Sequence, residues 1–341
     1  MSDAPPFTIA VVIPVYNGEA FLKEAVDSAL TQTTMPSEIC ITDDACTDST
    51  PQIIAGYGQR ARSQRLADRL PAPGAWNAAV RSCTATHLVI LAHDDILEPE
   101  FCQAAGEVLE RHPDLDLLAF GHRDITADGE LRAEHSMTQT GLPVNGILDP
   151  SAYLDRFCSG GQFFLPSAVV MSRRIFDLLG GFDPQLKVAY DWDFYLRAGA
   201  AGAKILVHER VLCRYRLHPA QSVQGFTRGD NGDNSIIFQK LAELRKSMTD
   251  RHIRMVADGM CNFMRHTVSR AVRDFRTPVD QVLELRRSVI ETMQSWRSSP
   301  LPQAAYIRIS PTHFMKRVAW ELTGTRTGIR LLRTVLNAKS K

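Results

Sequence analysis

The sequence predicts an α/β fold, a mostly parallel sheet flanked by helices, followed by a mainly helical C-terminal region. Three observations predict it. In the first third, short β-branched runs alternate with segments of helical period; two of those runs stop at paired aspartates; and past Gln221 a polar stretch gives way to helical periodicity.

Phe7 to Val15 (FTIAVVIPV) reads as a buried strand, and Gly18 to Leu30 places Phe21, Leu22, Ala25, Val26 and Ala29 on one helical face. Ser37 to Thr42 is a second strand ending in Asp43 and Asp44. Thr47, Asp48 and Ser49 then offer caps for a helix through Ile53 and Ile54. A strand near Arg65 to Leu70, a helix from Gly74 to Cys83 and the strand His87 to Ala92 follow, the last running into Asp94 and Asp95. Asp116 to Phe120 is another strand. Leu165 to Arg173 leads into a helix over Arg174 to Leu179 that Gly180 and Gly181 stop. Alternation with short links requires crossover helices, and ligands in such sheets gather at the carboxyl ends of strands.

With 341 residues, 44% of them hydrophobic and 23% charged, the chain can bury a full core. No run of 18 apolar residues occurs, so a spanning helix is not expected. The start, MSDAPPFTIAVVIPVYN, lacks the basic segment of a secretory signal, and a cytoplasmic location is expected. Seven cysteines without a CxxC pair argue for reduced, buried thiols rather than a zinc ribbon or disulfide framework. The net charge of +1 conceals an asymmetry: Ser235 to Lys341 holds 20 Lys or Arg against 8 Asp or Glu, while the first 234 residues hold 19 against 30. The Gly-, Asp- and Asn-rich segment Ser222 to Ser235 reads as the linker between a domain over residues 1–225 and a basic, mainly helical region over 235–341.

Four stretches could carry chemistry. ITDDACTDST (Ile41 to Thr50) could bind a base or ribose through a strand-end carboxylate, or could be only a capped turn. AHDDILEP (Ala92 to Pro99) could supply oxygen ligands to Mg²⁺ or Mn²⁺ shared with phosphates, or cap the next helix. In YDWDFYLR, Asp191 opens a helix, where a carboxylate suits a base of modest strength and capping explains it equally well. CRYRLHPAQS sets arginines and His218 just before the linker; a lone histidine is more often structural than a ligand.

Taken in order, IPVYNGEAFLKEAVDSALTQT, EICITDDACTDST, the asparagine of GAWNAAV, LAHDD, LGGFDPQL, YDWDFYLR and YRLH resemble the family 2 glycosyltransferases, inverting enzymes of the GT-A fold, over about residues 8–222. The resemblance implies a nucleotide-sugar part over about 1–120 and an acceptor part over about 121–225. It implies that Pro14, Tyr16 and Asn17 contact the base, that Asp44 binds base or ribose, that Asn77 lies in the donor site, and that Asp191 is the catalytic base with Arg197 as the distal arginine. Asp94 and Asp95 fall on the metal motif, and His218 on a histidine that assists metal or diphosphate binding. Because Ala92 stands where the first acid of that motif usually is, Asp95 is expected to lead as metal ligand and Asp94 to touch ribose or sugar. Other departures are Ala45 and Cys46 for Gly and Ser, Tyr190 for the glutamate beside the base, and Trp76 for the arginine before Asn77.

The expected reaction moves a sugar, with inversion, from a nucleotide-diphosphate sugar (UDP-sugar favoured) to a hydroxyl of a glycan or lipid-linked acceptor, with Mn²⁺ or Mg²⁺, in cell-surface polysaccharide synthesis. A Mg²⁺-dependent nucleotidyltransferase or a non-catalytic nucleotide-binding module is the competing reading. A binding module needs no third acid such as Asp191, and a nucleotidyltransferase usually carries a Gly-rich basic loop where this chain has only VYNGE. The amphipathic, cationic segments Phe314 to Leu322 and Gly328 to Leu336 suit a peripheral position on an anionic membrane surface, or packing or homodimer formation. No aromatic-basic platform for nucleic acid is present in the sequence.

Overall fold

The computed structural model describes residues 7–160 and 163–219, together with Asp233 and Lys240. By its internal contacts the chain divides into two compact units, Met1–Gln221 and Ser222–Lys341. The cationic segments Phe314 to Leu322 and Gly328 to Leu336 lie outside the described residues.

In the first unit nine strands form one mixed sheet: β1 (Ile9–Val15), β2 (Glu38–Asp43), β3 (Arg62–Arg65), β4 (His87–Ile90), β5 (Ile96–Leu97), β6 (Leu117–Thr126), β7 (Leu131–His135), β8 (Val169–Ser172) and β9 (Ile205–Leu217). Their order is β3-β2-β1-β4-β8-β6-β9-β5, with β7 paired to β6. The first four neighbours and the β6–β9 pair are parallel; β8 runs antiparallel between β4 and β6. The carboxyl ends of β1, β2, β4, β6 and β9, with the amino end of β8, therefore share one edge.

Helices α1 (Leu22–Leu30), α2 (Thr50–Ala55), α3 (Ala72–Arg81), α4 (Phe101–Arg111), α5 (Pro150–Gly160), α6 (Arg173–Leu179) and α7 (Tyr190–Ala200) flank the sheet. The spacing of Leu22, Ala25, Val26 and Ala29 makes α1 one-sided, and all four are buried in a core with Val11, Ile13, Ile41, Val89, Phe101, Phe120 and Leu206. Each of the Leu, Val, Ile and Phe side chains among them contributes about 1.5–3 kcal/mol on full burial. Cys40, Cys46, Cys83, Cys102 and Cys213 are free and buried. No described helix is long and apolar enough to cross a membrane.

One strand differs from the sequence expectation. The third strand lies at Arg62–Arg65, not Arg65–Leu70, because the Leu70 N–H is given to the Asp44 carboxylate at 2.8 Å rather than to a ladder. The long strand β9 has no clean alternation: it slips in register beside Gly121, and its burial pattern is irregular.

Candidate active site

The turn after β1 is built for close approach. A Cβ at Gly18 would stand 2.7 Å from the His93 ring and 2.5 Å from Val15 Cγ2, so only glycine fits between them. Asn17 takes a left-handed φ of 49°, and its Oδ1 accepts the Thr47 N–H at 2.8 Å, tying the β1 turn to the β2 turn. Ala45 is also left-handed, with a φ of 55° where glycine is usual, at a cost of ~1 kcal/mol. Cys46 Sγ accepts the Asn17 N–H at 3.2 Å; burial pushes its thiol up to about 11.

Beside this turn an arginine stacks on a tyrosine. The Arg69 guanidinium lies 3.7 Å over the centre of the Tyr16 ring. Asp44, 4% exposed, accepts the Leu70 N–H, and burial raises its carboxyl while the nearby Arg69 charge opposes that rise. Its neighbour Asp43 points the other way, to Arg65 and the Cys46 N–H. Tyr16, Asn17 and Asp44 thus converge at the β1 and β2 ends, and Arg69 joins them without any signal in the sequence.

The acids after β4 separate sharply. Asp95 is 1% exposed; its Oδ2 accepts the Ser167 hydroxyl at 2.5 Å and its Oδ1 accepts the Arg216 N–H at 3.0 Å. Burial, with the adjacent Asp94 charge, raises its carboxyl well above the usual range. Asp94 is half-buried and its Oδ2 stands 2.9 Å from His218 Nε2. Asp95, expected to lead as metal ligand, has each of its oxygens in a hydrogen bond inside the sheet edge. Asp94 and His218 are the pair whose ligand atoms meet at the strand ends. One carboxylate and one imidazole, sharing a cation with phosphate oxygens, fit Mn²⁺.

Arg216, 1% exposed, holds this edge together. Its guanidinium donates to the carbonyls of Asp94 at 3.0 Å and Ala127 at 2.6 Å and to Glu24 at 2.7 Å. The sequence marked Arg216 only as one of the arginines before His218 and gave no sign of Ser167, since neither residue type marks a buried brace in a single sequence.

Asp191 opens α7, half-buried, its Oδ1 accepting the Trp192 N–H at 2.7 Å. Two tyrosines report its place. Tyr190 is raised by burial and then by Asp191 and Asp94. Tyr215 is pushed up to about 12 by burial, then by Asp95, Asp94, Asp124 and Asp191. Asp191 and Asp94 therefore act on the same phenols.

Behind them, Arg197 bonds Asp193 at 2.8 Å and the carbonyls of Leu179 and Gly181, fixing the turn before α7. Asn77 departs from its expected part. Its Oδ1 accepts the Phe182 N–H at 2.9 Å and its Nδ2 donates to the Phe182 carbonyl at 2.8 Å, so its amide clamps the same turn. Trp76 and Tyr190 pack edge to face at 5.0 Å, with Phe182 beside both.

Glycosyl transferase family 2 matches residues 10–179. An uncharacterized glycosyltransferase of Rickettsia prowazekii (strain Madrid E) is 26% identical over 63% of this chain and 65% of its own length. A chondroitin synthase of Escherichia coli is 27% identical over 57% of this chain and 27% of its own. The chain thus spans less than two thirds of these relatives. Among solved structures, S. aureus TarS 1-349 in complex with UDP superposes with a TM-score of 0.65 at 15% identity, covering 98% of this chain and 91% of that one, a likeness of GT-A fold.

Proposed function

Since residues 10–179 place this chain in glycosyl transferase family 2 and it is a glycosyltransferase, we propose that it transfers a sugar, with inversion, from a UDP-sugar to a hydroxyl of a glycan or lipid-linked acceptor in cell-surface polysaccharide synthesis. The family match favours this reading over a nucleotidyltransferase or a passive nucleotide-binding module. The relation to a chondroitin synthase supports a polysaccharide product, and the fold shared with a UDP-bound protein supports the uridine donor.

One observation carries the reading: Asp94, paired with His218 at 2.9 Å, and Asp191, which opens α7, come from separate segments, and both carboxylates raise the phenols of Tyr190 and Tyr215. In the proposed reaction Tyr16 and Asp44 hold the base, with Pro14 and Asn17 shaping the turn. Asp94 and His218 would hold Mn²⁺ or Mg²⁺. When bound, such an ion offsets the charge that builds on the leaving diphosphate.

Asp191 takes the proton of the acceptor hydroxyl as its oxygen bonds to the anomeric carbon. The bond from that carbon to the diphosphate oxygen breaks, and the nucleoside diphosphate leaves with the electron pair. A single displacement inverts the centre. Residues 1–120 serve the donor and residues 121–225 the acceptor in this reading; Asn77 and Arg197 keep the turn before α7 in place.

The test is a panel of UDP-, GDP- and dTDP-sugars scored for Mn²⁺-dependent thermal stabilisation and sugar hydrolysis. UDP-sugars are expected to stabilise most. Absence of Mn²⁺-dependent stabilisation by every donor would overturn the proposal.

A further inference from the structure

The strands on the far side of β8 carry a second constellation that sugar transfer does not use. His122 and Asp124 lie two apart on β6, on one face, and His135 at the end of β7 stands directly opposite His122. The close approach is built in. A Cβ at Gly121 would lie 2.6 Å from the His135 carbonyl oxygen and 2.9 Å from Val211 Cγ2, so glycine at 121 is what admits the end of β7.

The three side chains converge. The rings of His122 and His135 stack with centroids 4.7 Å apart and planes at 28°. His135 Nε2 stands 2.9 Å from Asp124 Oδ2, and His122 Nε2 stands 3.6 Å from Asp124 Oδ1. One ligand atom from each residue falls within 4.8 Å of the others.

Hydrogen bonding alone leaves this arrangement unfinished. The Nδ1 of His122 is buried without a partner, and its Nε2 is beyond hydrogen-bond reach of the carboxylate it faces. A buried polar atom left unbonded is costly, and neither ring nitrogen of His122 is engaged by a hydrogen bond, so either is open to a ligand bond with a cation beside the Asp124 carboxylate. Zn–N and Zn–O bonds of ~2.0–2.2 Å at tetrahedral angles set ligand atoms ~3.3 Å apart, between the 2.9 and 3.6 Å that separate the two imidazoles from the Asp124 carboxylate.

We propose that His122, Asp124 and His135 form a second divalent-cation site, of Zn²⁺ chemistry, distinct from the Asp94–His218 pair. Two imidazoles and one carboxylate are a borderline-soft donor set with a fourth position open. The site fastens the β6–β7 hairpin at its end, and the partly exposed His135 gives the ion a way in. The two sites differ in what they require. Asp94 and His218 provide two protein ligands and depend on phosphate oxygens for the rest. The hairpin provides three and binds its ion without nucleotide.

That difference makes the test. The full chain, stripped with a chelator and free of nucleotide, is titrated with Co²⁺ and followed by its visible ligand-field absorption, then challenged with Zn²⁺. A single saturating band that Zn²⁺ displaces is expected, kept in Asp94→Asn and lost in His135→Gln at cobalt concentrations that saturate the unmodified protein. Thermal melting of metal-free His135→Gln should coincide with that of the unmodified chain; if it does not, the same loss read in Asp124→Asn decides. Absence of nucleotide-independent Co²⁺ binding overturns the proposal, as does a band that survives in the variant that decides or one that disappears with Asp94→Asn.

Discussion

His218 Nε2 and Asp94 Oδ2 stand 2.9 Å apart although 124 positions of chain separate them. The antiparallel pairing of β5, which follows Asp94, with β9, which ends just before His218, brings them together, Ile96 lying opposite Arg214. If this pair holds the diphosphate-bound ion, Asp94→Asn removes the Mn²⁺-dependent part of stabilisation by UDP. His218→Ala weakens it by at least about tenfold, since even outer partners of a metal commonly contribute that much. Thermal shift with UDP, with and without Mn²⁺, reads both. An undiminished Mn²⁺ effect in Asp94→Asn would refute the pairing.

Asp191→Asn keeps the hydrogen-bond acceptor for the Trp192 N–H but cannot accept a proton at neutral pH. Transfer should fall by about 10²–10⁴, while affinity for UDP stays within a few-fold. Single-turnover product release alongside a UDP titration separates the two effects. Near-native turnover would remove Asp191 from the base position.

Asp95 gives a sharper contrast, because neighbouring acids are assigned opposite work. Asp95→Asn can still accept from Arg216 and exchange hydrogen bonds with Ser167, so the fold and Mn²⁺ response should persist. Asp95→Ala leaves the Arg216 N–H and the Ser167 hydroxyl without that partner, at about 1–3 kcal/mol for each group left unsatisfied. Denaturant unfolding ranks the pair. A loss of Mn²⁺ response in folded Asp95→Asn would return the ligand to position 95.

Glu98 offers a pH-dependent test. Its carboxylate bonds Arg214 at 2.8 and 2.9 Å and Arg123 at 3.0 Å. The Arg214 bond leads in holding it below the usual range, against the opposing effect of burial. A depressed carboxyl contributes stability that is fully present above its unfolded pKa and is lost as pH falls through its folded pKa. Glu98→Gln should therefore cost about 1 kcal/mol at pH 7, the arginines being partly solvent-screened. The difference should narrow below about pH 4. Unfolding curves at pH 7, 5 and 3.5 would show it; a gap that widened in acid would contradict the sign.

Much of the sheet was legible because strand ends announce themselves. FTIAVVIPV and HLVILA are apolar runs that stop at polar turns, and parallel pairing is what such buried runs permit. Strand β9 was not legible, since ILVHERVLCRYRL mixes buried and exposed residues around a slip that glycine at 121, far away in sequence, makes room for.

At the site, residue types were readable and orientations were not. Asp94 and Asp95 are chemically identical in the sequence, and only Ser167 and Arg216, from two remote segments, decide which one turns inward. Trp76 and Tyr190 read as two separate departures from the family pattern. In space they are one event, an aromatic pair in contact at 5.0 Å in place of two polar side chains. Asn77 was named for the donor because of where it stands in a motif, and its amide proved to be spoken for by Phe182.

The guanidinium of Arg69 over Tyr16 has a kinetic meaning for the proposed donor. If the base stacks on Tyr16 as proposed, it trades places with a side chain already stacked there, and arrival is then an exchange and not the filling of a void. Such a contact is worth ~0.5–1 kcal/mol at an exposed position, and side-chain rotamers turn over in picoseconds to nanoseconds. The gate is cheap and fast: it keeps the aromatic face covered between turnovers without limiting how often a donor gets in.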